Sequence, residues 1–146
     1  MVLISEKQTL WNQLVFERGV VGRERISFVA YWNYVRVMAH AKVVLDTFPY
    51  GGCLTAQEAM SNGKVVVTYP SEFVRGRFTK NIYEQMGEGE WPIGESVKEF
   101  VRLSVRVGRN EGGYRDRVRG MLRERWATVH KQELGVEWGQ WVLSVE

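Results

Sequence analysis

Residues Val43 to Met86 read VVLDTFPYGGCLTAQEAMSNGKVVVTYPSEFVRGRFTKNIYEQM. A short apolar run, Val43-Val44-Leu45, ends at Asp46; the glycine pair Gly51-Gly52 follows, and helical character opens around Leu54, Thr55 and Ala56. A strand that empties into a Gly-bearing turn and then a helix leaves the first N–H groups of that helix without intrahelical partners. Together with the positive end of the helix dipole, those groups suit a phosphate. Asn62-Gly63 stops the helix, because either residue tolerates the left-handed C-cap conformation. Lys64 to Tyr69, with three consecutive valines, reads as the next strand. Pro70 ends that strand, and a helix is predicted from Val74 to Met86, closed by Gly87 and Gly89.

The same alternation runs upstream. Val2 to Ile4 reads as a strand, and Leu10, Leu14, Val15 and Trp11 mark a helix that ends near Gly19. Ile26 to Ala30 reads as a strand, Asn33 to Ala41 as a helix, and Val43 to Leu45 as a third strand. Short, β-branched strands apolar on both sides, alternating with helices, predict a doubly wound α/β fold with a parallel sheet and helices on both faces. After Pro92 the pattern predicts helices only. Val97, Phe100 and Val101 line one face of the first; Tyr114, Val118, Met121, Leu122, Trp126 and Val129 line the second; Leu134, Trp138, Trp141, Val142 and Val145 line the third.

A chain of 146 residues, 45% hydrophobic and 25% charged, is of single-domain size and can bury a core. Its apolar runs are too short to span a bilayer, and MVLISEKQ lacks the basic flank of a secretory signal. Cys53 is the only cysteine, so an internal disulfide and a thiolate-cluster metal site are excluded, and an intracellular, cytoplasmic location is expected. The net charge of +3 is unevenly spread: eight arginines lie between Arg102 and Arg125, against Glu111, Asp116 and Glu124. No aromatic residues interleave with them as a single-strand binding groove requires, so they read as the solvated face of amphipathic helices, with neither nucleic acid nor membrane as partner.

The turn from Gly51 to Thr55 is the primary site candidate. Its glycines allow close approach of backbone to a ligand. Thr55 offers a hydroxyl to an oxyanion or to the helix cap, and Glu58, one turn on, could accept hydrogen bonds from ribose hydroxyls. The alternative is an ordinary strand-to-helix connection. Arg75 and Arg77 follow Pro70, where they could reach a phosphate or hold the loop by pairing with Glu72 or the sheet edge. His40 and His130 share no metal-binding spacing with Asp, Glu or Cys, and read as packed or surface histidines. Cys53 has no nearby histidine and reads as a small residue filling the turn.

Asp46-Thr47-Phe48-Pro49-Tyr50-Gly51-Gly52, then Glu58-Ala59, Gly63, Val65-Val66-Val67-Thr68, Pro70, Glu72-Phe73, Arg75-Gly76-Arg77, Thr79, Tyr83 and Met86-Gly87 carry a resemblance. In that order they resemble the C-terminal catalytic half of O-linked N-acetylglucosamine transferases, particularly the SPINDLY-like members. Phe100 to Gly108 (FVRLSVRVG) is similar to a helix of the same family. The resemblance covers about Leu14 to Arg125 and is strongest from Val43 to Gly87.

It implies a GT-B fold, two Rossmann-like domains with the sugar nucleotide in the cleft. This chain would supply the donor-binding C-terminal domain as one domain over residues 1–146, with residues 96–146 as its helical tail. Gly51, Gly52, Leu54 and Thr55 would hold the pyrophosphate and Glu58 the ribose. Ala30, Tyr31 and Tyr34 would lie at the base, and Arg77 matches a recurrent arginine of the family. No catalytic residue, metal or cofactor is implied; the donor is a substrate, UDP-N-acetylglucosamine first and GDP-fucose second, and the acceptor a protein Ser or Thr.

Two departures stand out. Cys53-Leu54-Thr55-Ala56 replaces the family's Asn-Thr-Ser or His-Thr-Thr, so one hydroxyl is missing. The first strand, its phosphate-binding lysine and the N-terminal domain have no counterpart in this stretch, so the Val2 strand would present an edge that the missing domain or another chain covers. A non-catalytic nucleotide-sugar-binding or interaction module derived from such an enzyme is the alternative.

Overall fold

The computed structural model describes residues 2–4, 16–19 and 21–129. The chain divides into two compact units, Met1–Ala41 and Lys42–Glu146. The first contains β1 (Val2–Ile4) and β2 (Ser27–Val29), paired in parallel with Leu3 opposite Phe28. A single turn of 3₁₀ helix, Tyr31–Asn33, leads from β2 into α1 (Tyr34–His40). His40 is exposed, and its Nδ1 donates to the Arg36 carbonyl one turn back (2.8 Å), which fixes the ring against its own helix. The positions Leu10 to Val15 that mark the first predicted helix lie outside the described residues; towards its expected end near Gly19, Phe16 and Glu17 are helical and Arg18 and Gly19 form a turn.

The second unit opens with β3 (Val44–Leu45), followed by α2 (Cys53–Ser61), β4 (Val66–Val67) and α3 (Phe78–Gln85). β3 and β4 pair in parallel, Val44 opposite Val66 and Leu45 opposite Val67. The α/β class and the parallel pairing are those expected from sequence. α2 ends at Asn62-Gly63 as predicted, with Gly63 the residue in the left-handed region (φ 66°). The helix predicted from Val74 begins later, because Val74–Gly76 forms a 3₁₀ turn and α3 starts only at Phe78.

Two expectations for the segment after Pro92 are corrected. It is not helical throughout: Ile93 forms a parallel bridge with Thr68, extending the sheet on the far side of β4, with Thr68 donating to the Pro92 carbonyl and Gly94 to the Thr68 carbonyl. In α4 (Val97–Arg109), Val97 and Val101 are 61% and 54% exposed, and the buried stripe is Leu103 and Val107. Both stripes satisfy a 3.6-residue period, so periodicity alone could not choose between them. Ser96 caps α4 by accepting from the Glu99 N–H, and the Glu99 carboxylate accepts from the Glu95 N–H, which holds that carboxyl below its usual range.

α5 (Tyr114–Val129) buries Tyr114, Val118 and Leu122, three of the residues read as its inner face. The third helix, read from Leu134 to Val145, lies outside the described residues. Three α5 arginines reach carbonyls at the C-terminal ends of the other helices: Arg115 to Gly108 after α4's buried stripe, Arg119 to Gly63 after α2, and Arg125 to Met86 and Glu88 after α3. Guanidinium groups there satisfy orphan carbonyls and oppose the negative ends of the helix dipoles. Arg106 lies over the Tyr114 ring (3.9 Å) and pairs with Glu90 (2.8 Å).

β4 is the centre of this core: Val65, Val66, Val67 and Thr68 are buried. The Tyr83 phenol accepts from the Val66 N–H (3.2 Å) and donates to the Val66 carbonyl (2.8 Å), while its ring stacks on Trp91. Tyr83→Phe leaves both Val66 groups unpaired in a dry interior, and is expected to lower unfolding free energy by about 2–3 kcal/mol in denaturant titration. Burial, chiefly, pushes the Tyr83 phenol well above its ordinary value and raises Tyr114 to about 12. The unfolded tyrosines lose their protons near the ordinary value of about 10 while the folded ones keep theirs. Stability should therefore be complete below about pH 10 and fall as pH rises above it, with a shallower fall in Tyr83→Phe. A stability that stays flat from pH 9 to 11 would contradict the burial of these phenols.

Candidate functional site

Leu45 pairs with Val67, so the next residues, Asp46 and Thr68, stand side by side at the carboxyl ends of β3 and β4. In open α/β sheets this end of the strands is where ligands bind. The Thr68 hydroxyl donates to Asp46 Oδ2 (2.8 Å). Asp46 Oδ1 accepts from the N–H groups of Thr47 (3.0 Å) and Gly52 (2.7 Å). One carboxylate thus folds the six-residue turn back onto the sheet, and the Thr47 hydroxyl closes it further by donating to the Tyr50 carbonyl.

α2 starts at Cys53, with Gly52 as its N-cap. Among the described residues no side chain caps this helix. The N–H groups of Cys53, Leu54 and Thr55 are those that helix geometry leaves without an internal acceptor. Thr55, at the third helical position, does not supply the helix cap expected from sequence: its hydroxyl donates back to the Gly52 carbonyl (2.9 Å). A third-position side chain reaches the cap residue's carbonyl, whereas capping requires an acceptor on the cap residue itself. Leu54 is 71% exposed, Cys53 half-buried, and Glu58 exposed one turn on.

The Ser71–Arg77 loop packs against the turn. Gly51 donates to the Arg75 carbonyl (3.0 Å), and Gly76 lies against Pro49 and Ser71 with no room for a side chain. Arg77 Nε donates to the Ser71 carbonyl (2.9 Å), which closes the loop across its base. The Arg75 guanidinium lies over Tyr50 and Phe73, both exposed. Phe48, Tyr50, Leu54, Phe73 and Val74 are exposed apolar side chains on these same segments.

Gly51, Gly52, Leu54, Thr55 and Glu58 thus share one turn and helix start, and Arg77 belongs to the loop docked on it. Ala30, Tyr31 and Tyr34 belong to the first unit: Ala30 is buried at the end of β2, Tyr31 begins the 3₁₀ turn, and Tyr34 is the half-buried first residue of α1. Among the described residues no group of three His, Cys, Asp or Glu side chains could hold a metal ion, and no helix is long and apolar enough to cross a membrane. The sequence marks Asp46 as the end of a strand and the start of the family-like stretch but not as an anchor for the turn, and nothing local marks Ser71 as the acceptor for Arg77. Asp46 and Thr68 were legible in principle, as polar residues ending adjacent parallel strands.

A Cβ on Gly76 would overlap Ser71 Oγ and come within 2.5 Å of the Pro49 carbonyl. Gly76→Ala is therefore expected to cost about 1–3 kcal/mol by overpacking. Amide exchange at Gly51 should accelerate as the Arg75 carbonyl withdraws; unchanged protection there would refute the docking of the two loops.

No protein-family model matches the chain. It is 25% identical over 80 residues to the UDP-glucose:protein N-beta-glucosyltransferases of Actinobacillus pleuropneumoniae serotype 5b (strain L20) and serotype 7 (strain AP76), a match covering 55% of this chain and 13% of each relative. Its fold matches a mutant of Thermobaculum terrenum O-GlcNAc transferase with a TM-score of 0.73 and 26% identity, over 92% of this chain and 27% of the other. The chain thus spans a minor part of the length of each of these proteins.

Proposed function

The chain is related to O-GlcNAc transferase-like glycosyltransferases, and on that premise we propose that it is the donor-binding part of an enzyme that transfers a sugar from a nucleoside diphosphate to a protein hydroxyl. The observation that carries this reading is the uncapped start of α2, folded over the carboxyl end of the sheet by Asp46 in a chain of this fold. The N–H groups of Cys53, Leu54 and Thr55, with the positive end of the helix dipole, suit the diphosphate. In transfer, the acceptor oxygen bonds to the anomeric carbon and gives up its proton to water, the bond from that carbon to the diphosphate oxygen breaks, and its electron pair stays on the diphosphate. Fixed N–H dipoles aimed at the departing oxygens lower the barrier to that step.

In this reading backbone carries the diphosphate, since the Thr55 hydroxyl is engaged with Gly52 and Leu54 stands where a second hydroxyl is expected. Glu58 takes the ribose hydroxyls. The donor is UDP-N-acetylglucosamine, with GDP-fucose the competing choice; the curated relatives are themselves named for UDP-glucose, which supports uridine. The acceptor is a Ser or Thr hydroxyl, held with the help of a partner domain or chain. The non-catalytic alternative draws on the exposed Leu54, whose side chain offers nothing to a phosphate.

Calorimetry of the chain with UDP, GDP and inorganic pyrophosphate tests the proposal, with UDP bound more tightly than GDP. Glu58→Ala should weaken UDP by about tenfold, near 1.4 kcal/mol, and leave pyrophosphate unchanged because it has no ribose. Failure of both nucleotides to bind at millimolar concentration would overturn the assignment. Binding without sugar transfer by the complete protein would favour the module.

A further inference from the structure

We infer that Asp46 is a positioning residue of the proposed donor site: its carboxylate, gripped by Thr68, sets the register at which the first N–H groups of α2 meet a diphosphate. The inference rests on the donor-binding reading above. Asp46 is half-buried, and both of its oxygens are engaged, Oδ2 by the fully buried Thr68 hydroxyl and Oδ1 by the N–H groups of Thr47 and Gly52. Gly52 is the N-cap of α2, so the bond to its N–H ties the helix start directly to the end of β3.

The turn is held from its other side by the Arg75 carbonyl on the Gly51 N–H. A Cβ on Gly51 would stand 3.3 Å from that carbonyl and 3.4 Å from Asp46 Oδ2, so the glycine sits between two fixed acceptors. Because Thr68 belongs to the buried sheet, Asp46 transmits the placement of the sheet to the helix start. The residue acts through Gly52, and its negative charge gives it no part in holding an anion.

Placement and charge can be separated by two substitutions. Asp46→Asn removes the charge but keeps an oxygen where Gly52 and Thr47 need one, and the Thr68 hydroxyl can turn from donor to acceptor toward the new amide. Asp46→Glu keeps the charge but carries the oxygens one methylene further out. Positioning predicts that the Asn variant binds UDP and pyrophosphate within about threefold of the unsubstituted chain, whereas the Glu variant loses at least about tenfold for both.

Melting temperatures are measured alongside, and amide exchange at Gly52 should show protection retained in the Asn variant and lost in the Glu variant. A folded Glu variant that binds as well as the unsubstituted chain overturns the inference, and so does a folded Asn variant that has lost binding. If the Glu variant does not fold, the Asn variant decides alone: retained affinity with retained Gly52 protection supports positioning, and lost affinity with intact protection overturns it. Absence of nucleotide binding by the unsubstituted chain overturns the donor-binding reading itself and this inference with it.

Discussion

Every backbone polar group of a strand buried from water must find a partner within the protein, and β4 shows how far that constraint reaches. The Val65 carbonyl accepts from Val44 and the Val67 carbonyl from Asp46, which fixes β3. The two Val66 groups take the Tyr83 hydroxyl, which fixes α3. Thr68 donates to Pro92 and accepts from Gly94, which fixes the approach to α4. Its remaining polar atom, the side-chain hydroxyl, holds Asp46 and through it the glycine turn. The candidate site is thus the last link of a hydrogen-bond inventory that begins in three buried valines.

Much of this was legible in the sequence. The runs Val43 to Leu45 and Lys64 to Tyr69, the glycines between them and the stop at Asn62-Gly63 each carry a local signal, and each describes the structure to within a residue or two. What escaped the reading depends on contacts distant in the chain. Nothing local marks Ile93 as a bridge partner, because one residue has no periodicity. Val97 and Val101 lie on an apolar stripe as regular as Leu103 and Val107, and only the placement of α5 and β4 decides which stripe is covered. The turn was recognised from its glycines, but its anchor was not, because a lone Asp after a strand is common and its meaning comes from the register that sets Thr68 beside it.

The arginine-rich run illustrates the same lesson from the other direction. Composition suggests a basic, solvated face. In the structure Arg102, Arg106 and Arg109 pair with Glu99, Glu90 and Glu111, and Arg117 with Glu90. Arg115, Arg119 and Arg125 hold the carbonyls that end neighbouring helices. Guanidinium suits that work because its several donors can serve a carbonyl while its aliphatic stem packs on the helix surface.

The contact from Arg119 to Gly63 has an electrostatic consequence at the opposite end of α2. That helix carries partial charges of opposite sign at its two ends, about 13 Å apart for nine residues. Seen from a distance, such a pair largely cancels, and its field dies away steeply. A fixed cation on the C-terminal side offsets the negative pole, and on the N-terminal side the Asp46 carboxylate, bonded to the Gly52 N–H, offsets the positive one. With a counter-charge at each end the helix projects little field into solution, and an anion gains from this pole only within hydrogen-bonding reach of the Cys53, Leu54 and Thr55 N–H groups.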